Sequence, residues 1–408
     1  MNLDKYGGRP IGHGGFGCVF RPSLPCQEFE PSNNFISKLM LKEAALEEYE
    51  EIKKFVVVLK SIPHHDKYFV LSNIRLCKPF EIPANQLVGF DEECSALTKH
   101  GITKSNINYK LGNLAMLVMP YGGITIDKFI TKHYSSISLV NLNKALINLL
   151  EKAIVPMNKK NLYHCDLKAS NILAKYEDNI LNTRIIDWGL SIFYNNNKTI
   201  PDNLYRSFQF NLPFSVVIFS PNFIKMFQEF INLNPKPETY QFREFTINFL
   251  NVFFKERGKG HIKVIDRQIY RLYDKEIKTE DKRNILKYDF TYYHIIEYIS
   301  SILETFTKNG SFYIDKYFRN VFIKNIDVWG FITCYFPIFE ILYFNFESLT
   351  AVDLKLYNNL RFLFIHFLYE TSSEAISIKE VTSFLTNLNP LISQSLIINE
   401  KNIKVLSS

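Results

Sequence analysis

Residues 161–174 read NLYHCDLKASNILA, placing His164, Asp166, Lys168 and Asn171 close together before an apolar pair, Ile172 and Leu173. Four polar groups of different chemistry exceed what a solvated loop needs. Asp166 can accept a proton from an attacking hydroxyl, and Lys168 can neutralise a phosphoryl group in transit. Asn171 can offer its amide oxygen to a hard cation such as Mg²⁺. Two short strands follow, ILAKY and TRIID, joined by the turn-rich EDNILN. They form a hairpin expected to bring Asp187, at a strand end in TRIIDWG, back beside Asn171. An acid and an amide make a sensible Mg²⁺ clamp, because the ion keeps waters and phosphates as its other ligands. Each residue taken singly reads equally well as a loop polar group; their order and spacing set them apart.

Upstream, IGHGGFGCVFRP carries Gly12, Gly14 and Gly17 in GxGxxG spacing. The dinucleotide-binding form of that motif opens a helix, whereas CVFRP favours a strand and then a stop. The context suits a glycine-rich hairpin over phosphates, where missing side chains let backbone N–H groups approach oxygen. No GxxxxGK[ST] occurs, which removes a P-loop as the source of nucleotide binding. Lys38 sits in NFISKLM, a strand pattern, where burial calls for an anionic partner. ATP phosphates and a helix glutamate would supply two. The next stretch, LKEAALEEYEEIKKFVVVLKSI, is rich in helix formers and offers Glu43, Glu47, Glu48, Glu50 and Glu51. Glu48 is favoured, with Glu51 second, because Ile52 and Phe55 share its face at i+4 and i+7. The other glutamates read as a solvated face. NLAMLVMP is a second buried strand, closed by Pro120 and the pair Gly122–Gly123.

Beyond that point helical periodicity takes over, as in SLVNLNKALINLLEKAIVPM and LKLYNNLRFLFIHFLYE. The chain has 408 residues, 47% of them hydrophobic and 22% charged, which supports a sizeable core and argues against bulk disorder. Its net charge of +7 is mild and mixed along the chain, and points to neither nucleic acid nor membrane. Six cysteines without CxxC spacing make a disulfide framework or a zinc site improbable and fit a reducing compartment. MNLDKYGGRP lacks the apolar core of a secretory signal. The most apolar run, FITCYFPIFEILYF, is interrupted by Pro337 and Glu340 and is expected to be a buried helix, too short to span a bilayer.

Taken together, these motifs resemble a eukaryotic-type serine/threonine protein kinase. Gly12-His13-Gly14-Gly15-Phe16-Gly17-Cys18-Val19 resembles the glycine-rich loop, and Lys38 in FISK the lysine of VAIK. HCDLKASN resembles the HRDLKxxN loop, and DWG the metal-binding DFG. MPYGG looks like the hinge, with Met119 in the gatekeeper position, and NIDVWGFITCYFPIFEIL like a long buried helix whose Asp327 would brace the loop. Composition and phrases such as MPYGGITI look most like kinase-like proteins of large DNA viruses.

The resemblance implies an α+β, bilobal fold. A β-rich lobe would span 1–119 and an α-rich lobe 120–408, with an inserted or rebuilt helical segment at about 221–320. It implies ATP and Mg²⁺ as cofactors, serine or threonine of proteins as acceptor, and an intracellular setting, host cytoplasm or virion if viral. Asp166 would be the base, Lys168 the charge neutraliser, and Asn171 and Asp187 the metal ligands. Ile11 through Val19 would cover the nucleotide, with Val19, Ile36 and Leu173 around adenine and the backbone of Pro120–Tyr121 on its edge. Lys38, paired with Glu48, would hold the α- and β-phosphates.

Three departures stand out. Cys165 replaces the arginine of HRD, Trp188 replaces the phenylalanine of DFG, and no APE follows, with Asp187 and Asp327 lying 140 residues apart. A nucleotide-binding pseudokinase is the first alternative, although Lys38, Asp166, Asn171 and Asp187 are all kept. A small-molecule kinase is the second, but it has no reason to keep Lys168.

Overall fold

The computed structural model describes residues 8–14, 17–27, 32–71, 73–195, 199–275, 289–395 and 397. Gly15 and Phe16 of the glycine-rich stretch lie outside them. The chain divides into two compact units with helix and sheet both present.

The first unit comprises Met1–Gly123 with Leu173–Asp178 and Asn182–Gly189, stretches that the sequence reading gave to the second lobe. Its sheet is built from β1 (Arg9–Gly14), β2 (Gly17–Arg21), β3 (Phe35–Leu41), β4 (Arg75–Cys77) and β5 (Leu114–Pro120) in the order β1-β2-β3-β5-β4. All adjacent pairs are antiparallel. Alternation along β3 sends Leu39 into the core while Lys38 lies opposite Val19 on one neighbour and Leu117 on the other. Helix α1 (Lys42–Leu59) follows at once and buries Ala45, Ile52, Phe55 and Leu59, an i, i+3, i+4 stripe facing the sheet. The hairpin of β6 (Ile172–Glu177) and β7 (Ile180–Ile185) turns on Asp178 and Asn179. Both sit at positive φ, 49° and 62°, as a two-residue turn matched to strand twist requires.

The cysteines overturn one expectation. Cys18 is disulfide-bonded to Cys94, and Cys26 to Cys77, across 76 and 51 residues of sequence. All four lie in one buried cluster with Phe20, Leu39, Phe90 and Met116. Sequence spacing carries no sign of such pairing, because strand and loop geometry alone brings the partners together. Cys165 and Cys334 are free and buried.

In the second unit, α2 (Ser136–Leu149) starts at Ser135, whose side chain accepts from the Ser138 N–H. The region of about 221–320, expected to be an inserted or rebuilt helical segment, contains α3 (Pro221–Leu233), α4 (Thr239–Arg257), α5 (Ile262–Tyr273) and α6 (Asp289–Phe306). Its core is a cluster of phenylalanines: Phe223 and Phe227 of α3 meet Phe242, Phe245 and Phe249 of α4, mostly edge to face, with Ile231 of α3 also buried. Behind it come α7 (Ile323–Thr333), α8 (Phe336–Phe344), α9 (Ala351–Phe364) and α10 (Ile378–Gln394). Buried Asn143 ties α2 to two of these, donating to the Leu385 carbonyl at 2.7 Å and accepting from the Tyr335 hydroxyl at 2.8 Å.

The helical run Ile314–Phe344 is longer than FITCYFPIFEILYF suggested, at 31 residues, and its most apolar 18-residue window has a mean hydropathy of 1.3. By length and composition it could cross a membrane. In the fold, 83% of its apolar window is buried among other helices, as in a core helix.

Candidate active site

The His164–Asn171 loop belongs to the second unit and is held from below by α7. Asp327, fully buried, accepts from the N–H groups of His164 at 2.9 Å and Cys165 at 2.8 Å. Three residues along the helix, Gly330 permits close approach, since a β-carbon there would lie 2.4 Å from the Leu167 carbonyl oxygen. So braced, Cys165 adopts a left-handed backbone with φ of 60°, a strained state for a non-glycine residue that the surrounding contacts must enforce.

Asp166 is the hub. Its carboxylate accepts from Lys168 Nζ at 2.8 Å, Asn171 Nδ2 at 2.9 Å and Asn211 Nδ2 at 2.8 Å. Asn171 also donates to the Asp166 carbonyl at 2.8 Å, and Asn211 to the Leu167 carbonyl at 3.1 Å. Three donors fix the orientation of one carboxylate, as a proton acceptor needs. Among the described residues Asn171 Oδ1 has no partner, so the amide presents a free oxygen once its nitrogen is spent.

Sequence reading missed two groups. Asn211 is one; Arg206 is the other. Arg206 donates to the carbonyls of Cys165 at 3.0 Å, Leu190 at 3.2 Å and Asn203 at 2.7 Å. A single guanidinium thus ties the loop to the start of the segment after DWG. Burial and neighbouring Asp327 push the Cys165 thiol well above its usual range, so the cysteine is neutral beside this cation. No local motif marks either residue, because each reaches the loop from about forty positions downstream.

In the first unit, Lys38 Nζ lies 2.8 and 2.7 Å from the two carboxylate oxygens of Glu48. Both side chains are largely buried, so the pair is poorly screened and the ammonium is held in one place. Glu48, not Glu51, is the partner. Trp188 packs against Phe55 and Phe69 with ring centroids 5.9 and 5.7 Å away. It anchors Asp187, whose φ of 66° is again left-handed and whose carboxylate has no hydrogen bond or ion pair among the described residues.

Val19 and Ile36 are half-buried, Leu173 is buried and Ile11 is exposed on β1. Gly12 and Gly14 pair with Val19 and Gly17 across the β1–β2 turn, with His13 opposite Cys18. Tyr121 requires a correction. Its N–H donates to the Asn34 carbonyl at 2.8 Å and its ring faces Arg21 at 3.4 Å, so it has no backbone donor for a ligand. Pro120 has no N–H at all. The next donor is Gly122, which packs so closely on Leu173 and Val70 that a β-carbon would lie 2.8 Å from each.

No protein-family model matches the chain. Over 192 residues, 46% of its length, it is 22% identical to calcium-dependent protein kinase 14 of Arabidopsis thaliana, and it spans 28% of that protein. A crystal structure described as a kinase domain aligns with 53% of the chain and 59% of its own length, at 16% identity and a TM-score of 0.31. The chain is thus similar in sequence, over less than half of its length, to a protein kinase.

Proposed function

We propose that the chain is a serine/threonine protein kinase that moves the γ-phosphoryl group of Mg-ATP to protein hydroxyls. The observation that carries this reading is the Asp166 carboxylate, oriented by Lys168, Asn171 and Asn211. Asp166 takes the proton from the acceptor hydroxyl as its oxygen attacks phosphorus. Lys168, already within reach of Asp166, balances charge on the phosphoryl oxygens in transit. Lys38, pinned by Glu48, holds the α- and β-phosphates, and β1–β2 covers them with backbone N–H groups. Val19, Ile36 and Leu173 enclose adenine, and its edge is read by the Pro120 carbonyl and the Gly122 N–H in place of Tyr121.

Asn171 and Asp187 fit Mg²⁺, since each offers an uncommitted hard oxygen donor. Bound there, the ion would supply the positive charge that the terminal phosphates need. The nucleotide-binding scaffold remains the second reading, and the intact set of Lys38, Asp166, Asn171 and Asp187 weighs against it. Thermal-shift measurements test the nucleotide site. Mg-ATP is expected to raise the melting temperature of the native chain and to do so far less for Asp187→Asn. Undiminished stabilisation of the variant would remove Asp187 from the metal site.

Arg206 bears on regulation. Kinases that keep the HRD arginine use it to grip an activation-loop phosphate. Here a neutral cysteine stands in that place, and Arg206 makes the loop-to-segment tie with backbone carbonyls, which need no modification. Activity is therefore expected to survive complete dephosphorylation, with phosphate loss verified by mass spectrometry and initial rates compared. Arg206→Met should lower turnover by roughly tenfold or more, the size of losing a charge-assisted hydrogen bond at the site. Phosphatase-sensitive activity restored by rephosphorylation would contradict this.

A further inference from the structure

The turn between α4 and α5, Gly258-Lys259-Gly260-His261, is seated directly on the segment that holds Asp166. The His261 N–H donates to the Phe208 carbonyl at 2.7 Å, and the Ser207 hydroxyl donates to the Arg257 carbonyl at 3.0 Å. The imidazole of His261 lies over Phe210 with ring centroids 5.7 Å apart, and the next residue, Asn211, bonds Asp166. Gly260 makes the seat possible. Its φ is 54°, and a β-carbon there would stand 2.3 Å from the Phe208 carbonyl oxygen.

This turn is strongly cationic. Lys255, Arg257, Lys259 and Lys263 are all exposed within nine residues, with His261 between them. The one acid among them, Glu256, accepts from Asn222 at 2.8 Å. Lys255 and Arg257 also complement the C-terminal end of the α4 dipole, which is the ordinary reason for bases there. Lys259, His261 and Lys263 lie past that end, so the dipole does not account for them. Lys168 adds its charge nearby: burial and Lys168 together push the His261 imidazole below its usual range.

We propose that this turn is a specificity surface, selecting acidic polypeptide segments whose aspartate or glutamate side chains flank the acceptor serine or threonine. The inference rests on the kinase reading above and names its substrate class. A segment delivering its hydroxyl to Asp166 must pass the Phe208–Asn211 backbone on which the turn sits. Exposed cations there attract carboxylates and repel basic flanks, and long-range steering adds to the encounter rate.

The test uses the full chain and two peptides with one serine each, one flanked by aspartate and glutamate and the other by glutamine and asparagine. Fluorescence anisotropy reads binding, and phosphate incorporation reads kcat/KM. The acidic peptide is expected to bind roughly tenfold tighter at low salt, the size expected of three or four exposed charge pairs, and to lose that advantage at high ionic strength. The triple variant Arg257→Gln, Lys259→Gln, Lys263→Gln should bring the ratio of the two peptides close to one. Equal binding of both peptides to the native chain, or an unchanged ratio in the variant, would overturn the proposal. Preferential acidic binding without phosphate transfer would leave this surface standing and defeat the kinase reading instead.

Discussion

Asp166→Asn is expected to leave nucleotide affinity nearly intact while turnover falls by about 10²–10⁴-fold, the contribution of a positioned general base. The amide is almost the same size as the carboxylate, so packing around this buried residue is preserved. Its chemistry is not preserved. The carboxylate accepts three side-chain hydrogen bonds, and an amide nitrogen would face at least one of those donors. The substitution therefore removes both the proton acceptor and part of the orientation of Lys168. Nucleotide titration followed by initial-rate kinetics separates the two effects. Equal turnover in native and variant chains would remove Asp166 from the chemistry.

Asp327→Ala should act on stability instead. The two N–H groups that it satisfies belong to buried residues, His164 and Cys165, and lose this acceptor once the carboxylate is gone. Each unsatisfied buried donor costs about 1–3 kcal/mol, so a loss of about 2–6 kcal/mol is expected from chemical denaturation midpoints at unchanged slope. Cys165 would also be released from its left-handed backbone, dragging Asp166 out of place. Asp327→Asn keeps one acceptor oxygen and should cost less. A loss below about 0.5 kcal/mol for the alanine variant, the range of ordinary surface substitutions, would mean that α7 does not brace the loop.

What the sequence made legible was local. His164 through Asn171 stand in one loop, so their chemistry reads directly from order and spacing. Glu48 was readable because helical periodicity puts it on the face of Ile52 and Phe55, and Lys38 lies on the strand just before. Strands β2, β3 and β5 announced themselves by alternation and by glycine or proline stops, whereas the three-residue β4 did not. Long-range features left no trace. Cys18 and Cys94 are brought together by a sheet and a loop, and the chain between them carries no spacing rule. Asn211 and Arg206 reach the Asp166 loop from a segment with no motif of its own. The helices of 221–320 bury phenylalanines on faces broken up by charged residues, and their pattern emerges only when Phe223 and Phe227 are seen packed against the rings of α4. Tyr121 was misassigned because its N–H extends the β3–β5 ladder one step past Phe35 and Pro120, to Asn34, a partner distant in sequence. A hinge motif cannot reveal which backbone donors the sheet has already used.

The most direct test of the account is transfer of labelled γ-phosphate from Mg-ATP to protein acceptors by the purified full-length chain. The expected result is label on serine or threonine, dependent on the divalent ion and lost in Asp166→Asn. A chain that binds Mg-ATP yet transfers no phosphate to any acceptor, basic, neutral or acidic, would contradict the kinase reading and favour the scaffold.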